Sequence, residues 1–316
     1  MPFLKDCLYS IIHQTFTDWE LIAVDDYSTD DSHALLSAFA AEDNRIKVLK
    51  NNEKGIIPAL RLAFATSRGQ CITRMDADDK MTTNKLSVLF HSLQEKGKGY
   101  LATAYVAYFS EHELGQGYQN YAQWLNILTQ DSRNFDEIYK ECVIPSPCWM
   151  LHRDDLLACG AFAANTYPED YDLCFRFYQQ GLKVIGNKVV LHHWRDHSNR
   201  SSRTLEVYSN NQYFELKIPY FLRLDYKPKK VLILWGAGKK GKQIAQLLLK
   251  NDVKFKWVCN TPRRWGTNVY NVILEPTDTA FATANAQIIV AVSSPEDQKN
   301  IKTQLLKTQK EHYFFT

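Results

Sequence analysis

The sequence has few of the features that mark membrane, secreted or nucleic-acid-binding proteins. No apolar run approaches the roughly 18 residues needed to cross a bilayer, and no signal peptide is recognisable. The formal net charge of the 316 residues is +3, too small to predict nucleic-acid binding. Hydrophobic residues make up 45% and charged residues 23%, as in ordinary globular proteins. We therefore expect a cytoplasmic protein, with peripheral association at the inner face of the cell membrane as the open alternative.

The seven cysteines form no Cys-x-x-Cys pair, and their number is odd. Disulfide frameworks need paired cysteines, and cysteine zinc sites use short, regular spacings. The pattern therefore argues against both and predicts buried thiols in a reducing compartment.

The most informative segment is CITRMDADD at residues 71–79, where a short apolar run ends in Asp76, Asp78 and Asp79. Carboxylates this dense at the end of a buried strand are costly unless a cation lies against them. Hard oxygen ligands suit Mg²⁺ or Mn²⁺, which would in turn hold a diphosphate. The alternative is that Asp78 or Asp79 only begins the next helix, which the pattern places near Thr82.

Helical and strand patterns alternate along roughly the first 200 residues. Apolar strands at residues 20–24 and 71–75 each end in acidic residues, and residues 100–109 predict a long aromatic-rich strand. Such alternation predicts an α/β fold with a mainly parallel sheet covered by helices. Ligands of such sheets lie beyond the carboxyl ends of strands, which is where Asp26 and the acidic motif fall.

A second pattern follows the basic linker YKPKK at residues 226–230. It contains a G-x-G-x-x-G turn, GAGKKG at residues 236–241, between a strand and a helix. We therefore predict a first domain of residues 1–226 and a small Rossmann-like α/β domain of residues 227–316. The elements predicted for the second domain are strands at 231–235, 255–259 and 287–292 and helices at 242–250 and 295–308.

Four segments in sequence order, residues 14–30, 74–79, 167–173 and 193–203, resemble motifs of family 2 glycosyltransferases of the GT-A fold. Together they span about two thirds of the chain. The resemblance implies a nucleotide-diphospho-sugar transferase fold and an enzyme that moves a sugar from a nucleotide diphosphate donor to an acceptor hydroxyl with inversion. It also implies a saccharide or lipid-linked saccharide acceptor in bacterial surface polysaccharide or lipopolysaccharide synthesis.

The resemblance assigns roles to four acidic residues. Asp26 matches the carboxylate that hydrogen-bonds the donor base, and Asp76 matches the motif residue near the donor ribose. Asp78 matches the ligand of a Mn²⁺ or Mg²⁺ ion that would neutralise charge on the departing diphosphate. Asp170 matches the general base that takes the acceptor's proton. The structural alternatives are turn chemistry for Asp26 and a helix N-terminus, where acids are favoured, for Asp170.

A basic cluster follows in the fourth segment. Arg195, Arg200 and Arg203 suit the oxygens of a diphosphate, and the resemblance places them at the donor. His197 could complete the metal shell, or it could be structural. Asp79 of the acidic motif is left as either a second ligand or a helix cap.

Two departures from the family pattern stand out. The family's chain normally opens with an apolar strand ending in a Pro-x-Tyr-Asn-like turn, whereas residues 1–4 here lead directly into the helix that should follow. We expect this to leave neighbouring strands unpaired and part of the nucleotide pocket unbuilt. A non-catalytic, nucleotide-sugar-binding or scaffold descendant of the family is therefore the alternative to an enzyme. In addition, PSPCW at residues 145–149 stands where many relatives carry a His-Pro-Thr-like segment.

The glycine-rich turn of the second domain could bind phosphate through its backbone N–H groups. A site for NAD would also need an acid at the end of the next strand, where Asn260 stands. Arg263 and Arg264 could meet a 2′-phosphate, but no residue suited to hydride transfer is recognisable. The domain resembles the Rossmann-like appendage of some bacterial family 2 glycosyltransferases. We expect a structural or partner-binding role, with NAD(P)-dependent oxidoreductase chemistry as the remaining alternative.

Overall fold

The computed structural model describes residues 3–111, 113–198, 200 and 213–316. These residues form two compact units, and the second consists of Glu137–Cys142 together with the described residues from Tyr213 onward. A helix that ends at Leu224 therefore groups with the second unit, whereas the sequence placed the boundary at Lys227. Whether the second unit folds independently stays a prediction. In the part of the chain described, no helix is both long enough and apolar enough to cross a bilayer.

The first unit alternates helices and strands. Its helices are α1 (Leu4–Ile12), α2 (Ser32–Glu42), α3 (Ile56–Thr66), α4 (Lys85–Lys96), α5 (Gln116–Gln130), α6 (Arg153–Ala158) and α7 (Glu169–Gln179). Its strands are β1 (Leu21–Asp25), β2 (Ile46–Lys50), β3 (Cys71–Ile72), β4 (Lys80–Met81), β5 (Tyr100–Phe109), β6 (Trp149–His152) and β7 (Lys183–Arg195). The α/β class predicted from the sequence is therefore confirmed.

The segment around the acidic motif differs in detail from the prediction. Strand β3 ends at Ile72 instead of Met75, and α4 begins at Lys85 instead of near Thr82. The reason is the short strand β4, which follows the motif directly and pairs with the end of β7, Lys80 opposite His193. This pairing takes the place of a direct entry into the helix.

The strands of the first unit form two sheets. Five strands lie in the order β3-β6-β5-β7-β4, and β1 pairs with β2 in parallel. The longest ladder, between β5 and β7, is parallel, whereas β6 and β4 run antiparallel to their neighbours. The five-stranded sheet is thus mixed. Its core is formed by α4 and α5, whose Leu89 and Leu125 are fully buried against Ala104 and Leu191.

Strand β1 has a hydrogen-bonded neighbour on one side only among the residues described. Glu20, just before β1, accepts the N–H of Gly69, just before β3, at 2.7 Å, so the two strands begin close together. No ladder joins them in the described ranges, and Leu21 to Val24 of β1 are all only half-buried. Among the residues described, β1 is therefore an unpaired edge of its sheet.

The second unit is a parallel sheet with helices. Its strands are β8 (Val231–Trp235), β9 (Phe255–Cys259), β10 (Asn268–Val269), β11 (Val272–Pro276), β12 (Ala286–Val290) and β13 (Glu311–Phe314). Its helices are α8 (Phe214–Leu224), α9 (Lys239–Lys250), α10 (Asp278–Ala282) and α11 (Pro295–Leu306). The parallel strands lie in the order β11-β9-β8-β12-β13, with β10 antiparallel at one edge. This is the strand order of doubly wound nucleotide-binding folds, so the Rossmann-like prediction is confirmed.

The glycine turn between β8 and α9 is tightly packed. Gly236 has a φ of 120°, and a Cβ at Gly241 would lie 1.9 Å from the Gly236 oxygen. Only glycine fits at either position. Trp257 Nε1 donates to that same oxygen at 2.8 Å, and Arg264 Nη1 donates to the Ala237 oxygen at 2.8 Å. Hydrogen bonds from the Trp257 and Arg264 side chains therefore stabilise the turn.

We expect NADH and NADPH to bind the second unit weakly or not at all. Asn260 follows β9 directly, where an NAD site would carry an acid for the cofactor ribose. Its side chain is a neutral amide, and its Oδ1 already accepts the Trp235 Nε1–H at 2.7 Å. Arg264 is likewise held at the turn. Fluorescence titration of the full chain with each cofactor checks this, and saturable binding in the micromolar range would revive the oxidoreductase alternative.

Candidate active site

The acidic motif forms the connection between β3 and β4, at the end of the sheet where β3 terminates. The Asp79 N–H donates to the Asp76 oxygen at 3.3 Å, which closes the connection into a tight turn. The turn directs Asp79 inward, with 1% of its surface exposed, whereas the Asp76 and Asp78 side chains are 31% and 21% exposed. The carboxylates of Asp76 and Asp78 are thus accessible at the surface, and that of Asp79 is buried.

Asp79 is held by two partners on β7. Its Oδ2 lies 2.9 Å from His192 Nε2, and its Oδ1 accepts the Arg195 N–H at 2.8 Å. The residue that precedes α4 is Asn84. Asp79 is therefore not the cap of that helix, and both of its oxygens face β7 and not the surface. The sequence left Asp79 as either a second metal ligand or a helix cap. Its contacts favour a third role, in which it holds the motif against β7.

A buried lysine completes this arrangement. Lys85 is fully buried, and its Nζ donates to the Pro147 oxygen and lies 3.3 Å from His192 Nδ1. Because an ammonium only donates, His192 Nδ1 accepts and its Nε2–H donates to Asp79. Burial lowers the pKa of His192 well below its usual value, which agrees with a neutral ring. Burial likewise lowers the pKa of Lys85, and burial together with Asp76 and Asp78 raises the pKa of Asp79 to about 8. Hydrogen bonds thus join Lys85, His192 and Asp79 beneath the exposed part of the motif.

Replacing Lys85 with Met should destabilise the protein by about 2–5 kcal/mol, because each buried acceptor left without its donor costs about 1–3 kcal/mol. The methionine fills the same space but leaves His192 Nδ1 and the Pro147 oxygen without their hydrogen-bond donor. Urea unfolding measures the change. Lys98→Met is the control, because Lys98 forms an exposed ion pair with Asp154. Equal midpoints for the two variants would show that the buried lysine is not needed.

Asp78 and His197 form the exposed part of the motif. Asp78 Oδ2 lies 2.9 Å from His197 Nε2. This is the distance of a hydrogen bond, and it joins a carboxylate oxygen to an imidazole nitrogen, both of which are ligands of Mn²⁺ in proteins. Within the described ranges, no group of three or more His, Cys, Asp or Glu residues is arranged as a metal site. An ion held by Asp78 and His197 would therefore need further ligands from a diphosphate and water.

The arginines predicted at the diphosphate have different surroundings. Arg195 is 6% exposed, and it donates to the Asp78 oxygen and to Asp6 Oδ2, both at 2.8 Å. Its guanidinium also lies 4.3 Å from the ring of Phe3. These contacts favour a structural role for Arg195, which ties α1 to the motif.

Arg200 lies with its guanidinium 5.6 Å from the centre of the Tyr108 ring. Burial opposes its charge, but Tyr108, Asp79 and Asp78 together raise its pKa. It therefore carries a positive charge near the motif. Arg203 lies outside the described residues, and its predicted role at the donor stays a prediction.

Arg74 connects the motif to α7. Its Nη2 lies 3.0 Å from Asp76 Oδ1 and its Nη1 lies 3.2 Å from Glu169 Oε1. Glu169 and Asp170 form the first turn of α7, where the helix dipole favours acids. This contact brings the residue predicted as the general base beside the acidic motif. Arg74 and Glu169 are 95 positions apart, and no sequence pattern indicates the contact.

Asp170 has the surroundings of a titratable base. Burial and the neighbouring Glu169 raise the pKa of its carboxyl to about 7, against the opposing effect of Arg74. Its Oδ1 accepts the Tyr171 N–H at 2.8 Å. The neighbouring acid Asp172 is 4% exposed and bound to Arg176 at 2.8 Å. Of the two acids that flank Asp170 in this turn, Asp172 is therefore committed to structure, and Glu169 is the other candidate base.

Asp26 organises the loop after β2. Both of its carboxylate oxygens accept the Gly55 N–H, at 2.9 and 3.0 Å, and Oδ1 accepts from Asn51 Nδ2 at 2.7 Å. Gly55 has a φ of 136°, a conformation that other residues rarely adopt. Burial raises the pKa of Tyr167, and Glu169 and Asp26 raise it further, so the tyrosine lies near both acids. Asp26 thus belongs to the same side of the unit as α7 and the motif.

Comparisons with known proteins agree with this arrangement. The sequence model of the family described as "Glycosyl transferase family 2" matches residues 1–159. Glycosyltransferase GlyG of Streptococcus pneumoniae serotype 4 is 35% identical over 210 residues, which are 64% of this chain and 69% of GlyG. The Escherichia coli protein WfaP, named UDP-Glc:alpha-D-GlcNAc-diphosphoundecaprenol beta-1,3-glucosyltransferase, is 26% identical over 208 residues, 63% of this chain and 75% of WfaP.

Among solved structures, S. aureus TarS 1–349 in complex with UDP-GlcNAc resembles the chain with a TM-score of 0.53 and 15% identity. The match covers 78% of this chain and 68% of TarS 1–349. At this identity the likeness shows the fold alone, and it is the GT-A fold that the sequence motifs implied. Family match, relatives and fold together show that the chain is a glycosyltransferase and belongs to glycosyl transferase family 2.

Proposed function

We propose that the chain transfers a sugar from a nucleoside-diphosphate-sugar to an acceptor hydroxyl with inversion, with a divalent cation at Asp78 and His197. The observation that carries the proposal is the bridge from Asp76 through Arg74 to the first turn of α7. It joins the motif suited to a metal–diphosphate with the acid best suited to take a proton. Neither half alone would support group transfer.

The proposed chemistry is a single displacement. A sugar hydroxyl is a poor nucleophile at neutral pH, and Asp170, with a pKa of about 7, is poised to take its proton as the new glycosidic bond forms. The bond from the anomeric carbon to the diphosphate breaks on the opposite face. A bound Mn²⁺ or Mg²⁺ would neutralise charge on the departing diphosphate. Asp26 and Asp76 would orient the donor base and ribose.

For the substrates we propose a UDP-sugar donor and a saccharide or lipid-linked saccharide acceptor. WfaP is named for UDP-Glc and a diphosphoundecaprenol-linked acceptor, and TarS 1–349 is described with UDP-GlcNAc. A role in bacterial surface polysaccharide synthesis follows from such substrates, and peripheral contact with a membrane would follow from a lipid-linked acceptor.

The alternative is a non-catalytic binder of nucleotide-sugars. One observation favours it: β1 lacks a strand on one side in the described part of the chain, and the Asp26 carboxylate just beyond it is bonded to the loop after β2. A pocket built around an incomplete sheet could bind a donor without holding it for reaction.

A thermal-shift screen with UDP-glucose, UDP-GlcNAc and GDP-mannose, each with and without Mn²⁺, tests the proposal. A ligand at 100 times its Kd stabilises the native state by about 2.7 kcal/mol. We expect stabilisation by a UDP-sugar in the presence of Mn²⁺. Release of UDP from the stabilising donor when acceptor saccharides are added separates the enzyme from the binder. No stabilisation by any of the three with Mn²⁺ would contradict both.

A further inference from the structure

One buried arginine links the two halves of the proposed site. The Arg74 side chain is 9% exposed and lies on the segment between β3 and the acidic motif. It bonds Asp76 on its own segment and Glu169, which is equally buried, on α7. Arg74 therefore bridges the acidic motif and the first turn of α7.

The chemistry of the guanidinium suits this position. It is planar and presents its donors in a fixed fork, so it holds two carboxylates at a set separation, which the single ammonium of a lysine cannot do. Burial opposes the charge of Arg74, but Asp76, Glu169 and Asp170 raise its pKa, and it stays charged. Three carboxylates thus share one permanent cation.

We propose that Arg74 is a positioning residue that fixes the first turn of α7, and with it Asp170, at a set distance from Asp76. This inference rests on the proposed function, in which Asp76 contacts the donor and Asp170 the acceptor. Acceptor attack needs the reacting atoms to lie about 3–3.5 Å apart and in line, and a misplacement of about 1 Å costs roughly 10²-fold in rate. Arg74 sets that distance without touching either substrate.

The charge of Arg74 has a second effect that makes its role measurable. The charged groups facing Asp170 are Glu169 on its own helix and Arg74 and Asp76 on the motif segment. Glu169 and Asp76 disfavour ionisation of Asp170, and Arg74 favours it. Removing the positive charge should therefore raise the pKa of Asp170, and removing the charge of Glu169 should lower it.

The test compares Arg74→Gln, Arg74→Lys and Glu169→Gln in the full chain. The pKa of Asp170 is measured by ¹³C NMR of labelled aspartate carboxyls, assigned with Asp170→Asn. We expect a rise from about 7 to roughly 8 or higher in Arg74→Gln, a value near 7 in Arg74→Lys, and a fall in Glu169→Gln. Because the two shifts have opposite signs, a general loss of stability cannot produce both.

The control is Arg153→Gln. Arg153 bonds the Gly69 oxygen and Ser67 Oγ, both at 2.8 Å, and serves structure alone. This variant should lose stability and leave the pKa of Asp170 unchanged. An Asp170 pKa that is the same in all variants would overturn the proposal, whether or not the protein turns over a sugar donor.

Turnover supplies the second readout. With a UDP-sugar that the wild type uses, Arg74→Lys should lower kcat by roughly 10²-fold with little change in the donor KM, because the charge remains and the spacing is lost. Normal kcat in Arg74→Lys would overturn the positioning role. If the wild type turns over no donor, the proposed function fails, while the NMR comparison still decides whether Arg74 sets the environment of Asp170.

Discussion

Replacing Asp170 with Asn should lower turnover by roughly 10²–10⁴-fold and leave donor binding nearly unchanged. The amide keeps the shape of the side chain and can still accept the Tyr171 N–H, so the start of α7 is preserved. It cannot take a proton from the acceptor. UDP release in the presence of acceptor measures turnover, and titration calorimetry with UDP and Mn²⁺ measures binding.

The matched control for this variant is Asp172→Asn, two positions further along the same helix. Asp172 forms an ion pair with Arg176, so Asp172→Asn should lower the stability of the protein. The turnover of the molecules that remain folded should fall far less than in Asp170→Asn. Both variants are compared with the wild type at equal concentrations of folded protein. Near-normal turnover of Asp170→Asn would rule Asp170 out and leave Glu169 as the candidate base.

Replacing Asp78 with Ala should abolish the metal-dependent part of donor binding while the fold remains intact. Asp78 is the more accessible member of the Asp78–His197 pair, and an ion at this pair would lose its only carboxylate. Without metal the variant should be as stable as the wild type or more so, because Asp76 and Asp79 lose a like-charged neighbour. Calorimetry with UDP, with and without Mn²⁺, and thermal unfolding measure the two effects.

Asp154→Ala is the control for charge. Like Asp78→Ala, it removes one carboxylate from the first unit, but this carboxylate belongs to the exposed pair with Lys98. Its affinity for UDP with Mn²⁺ should equal that of the wild type. If Asp78→Ala also binds UDP with Mn²⁺ as tightly as the wild type, Asp78 is not the ligand.

The sequence predicted the position of the acidic motif, because an apolar run followed by carboxylates marks the end of a strand in any α/β fold. It also predicted the Rossmann-like fold of the second unit through the glycine turn at Gly236. Both signals are local, since a few consecutive residues carry them.

The roles of Asp79 and Arg74 could not be predicted in the same way. Asp79 finds its partner His192 113 positions away, and Arg74 finds Glu169 95 positions away. Spacing along the chain contains no information on such contacts, which depend on the pairing of β4 with β7 and on the placement of α7. Lys85 reads as an ordinary charged residue of an amphipathic helix, and only its burial shows that it supports the motif.

The most direct test of whether the acidic motif is a metal–diphosphate site is to measure Mn²⁺ binding with and without UDP. The EPR signal of free Mn²⁺ monitors this binding. Asp78 and His197 alone offer few ligands, so we expect Mn²⁺ to bind weakly in the absence of UDP. Affinity should rise by roughly tenfold or more when UDP supplies its phosphate oxygens, and Asp78→Ala should lose this rise. Equal Mn²⁺ affinity of the wild type with and without UDP would contradict the assignment of this motif as a metal–diphosphate site.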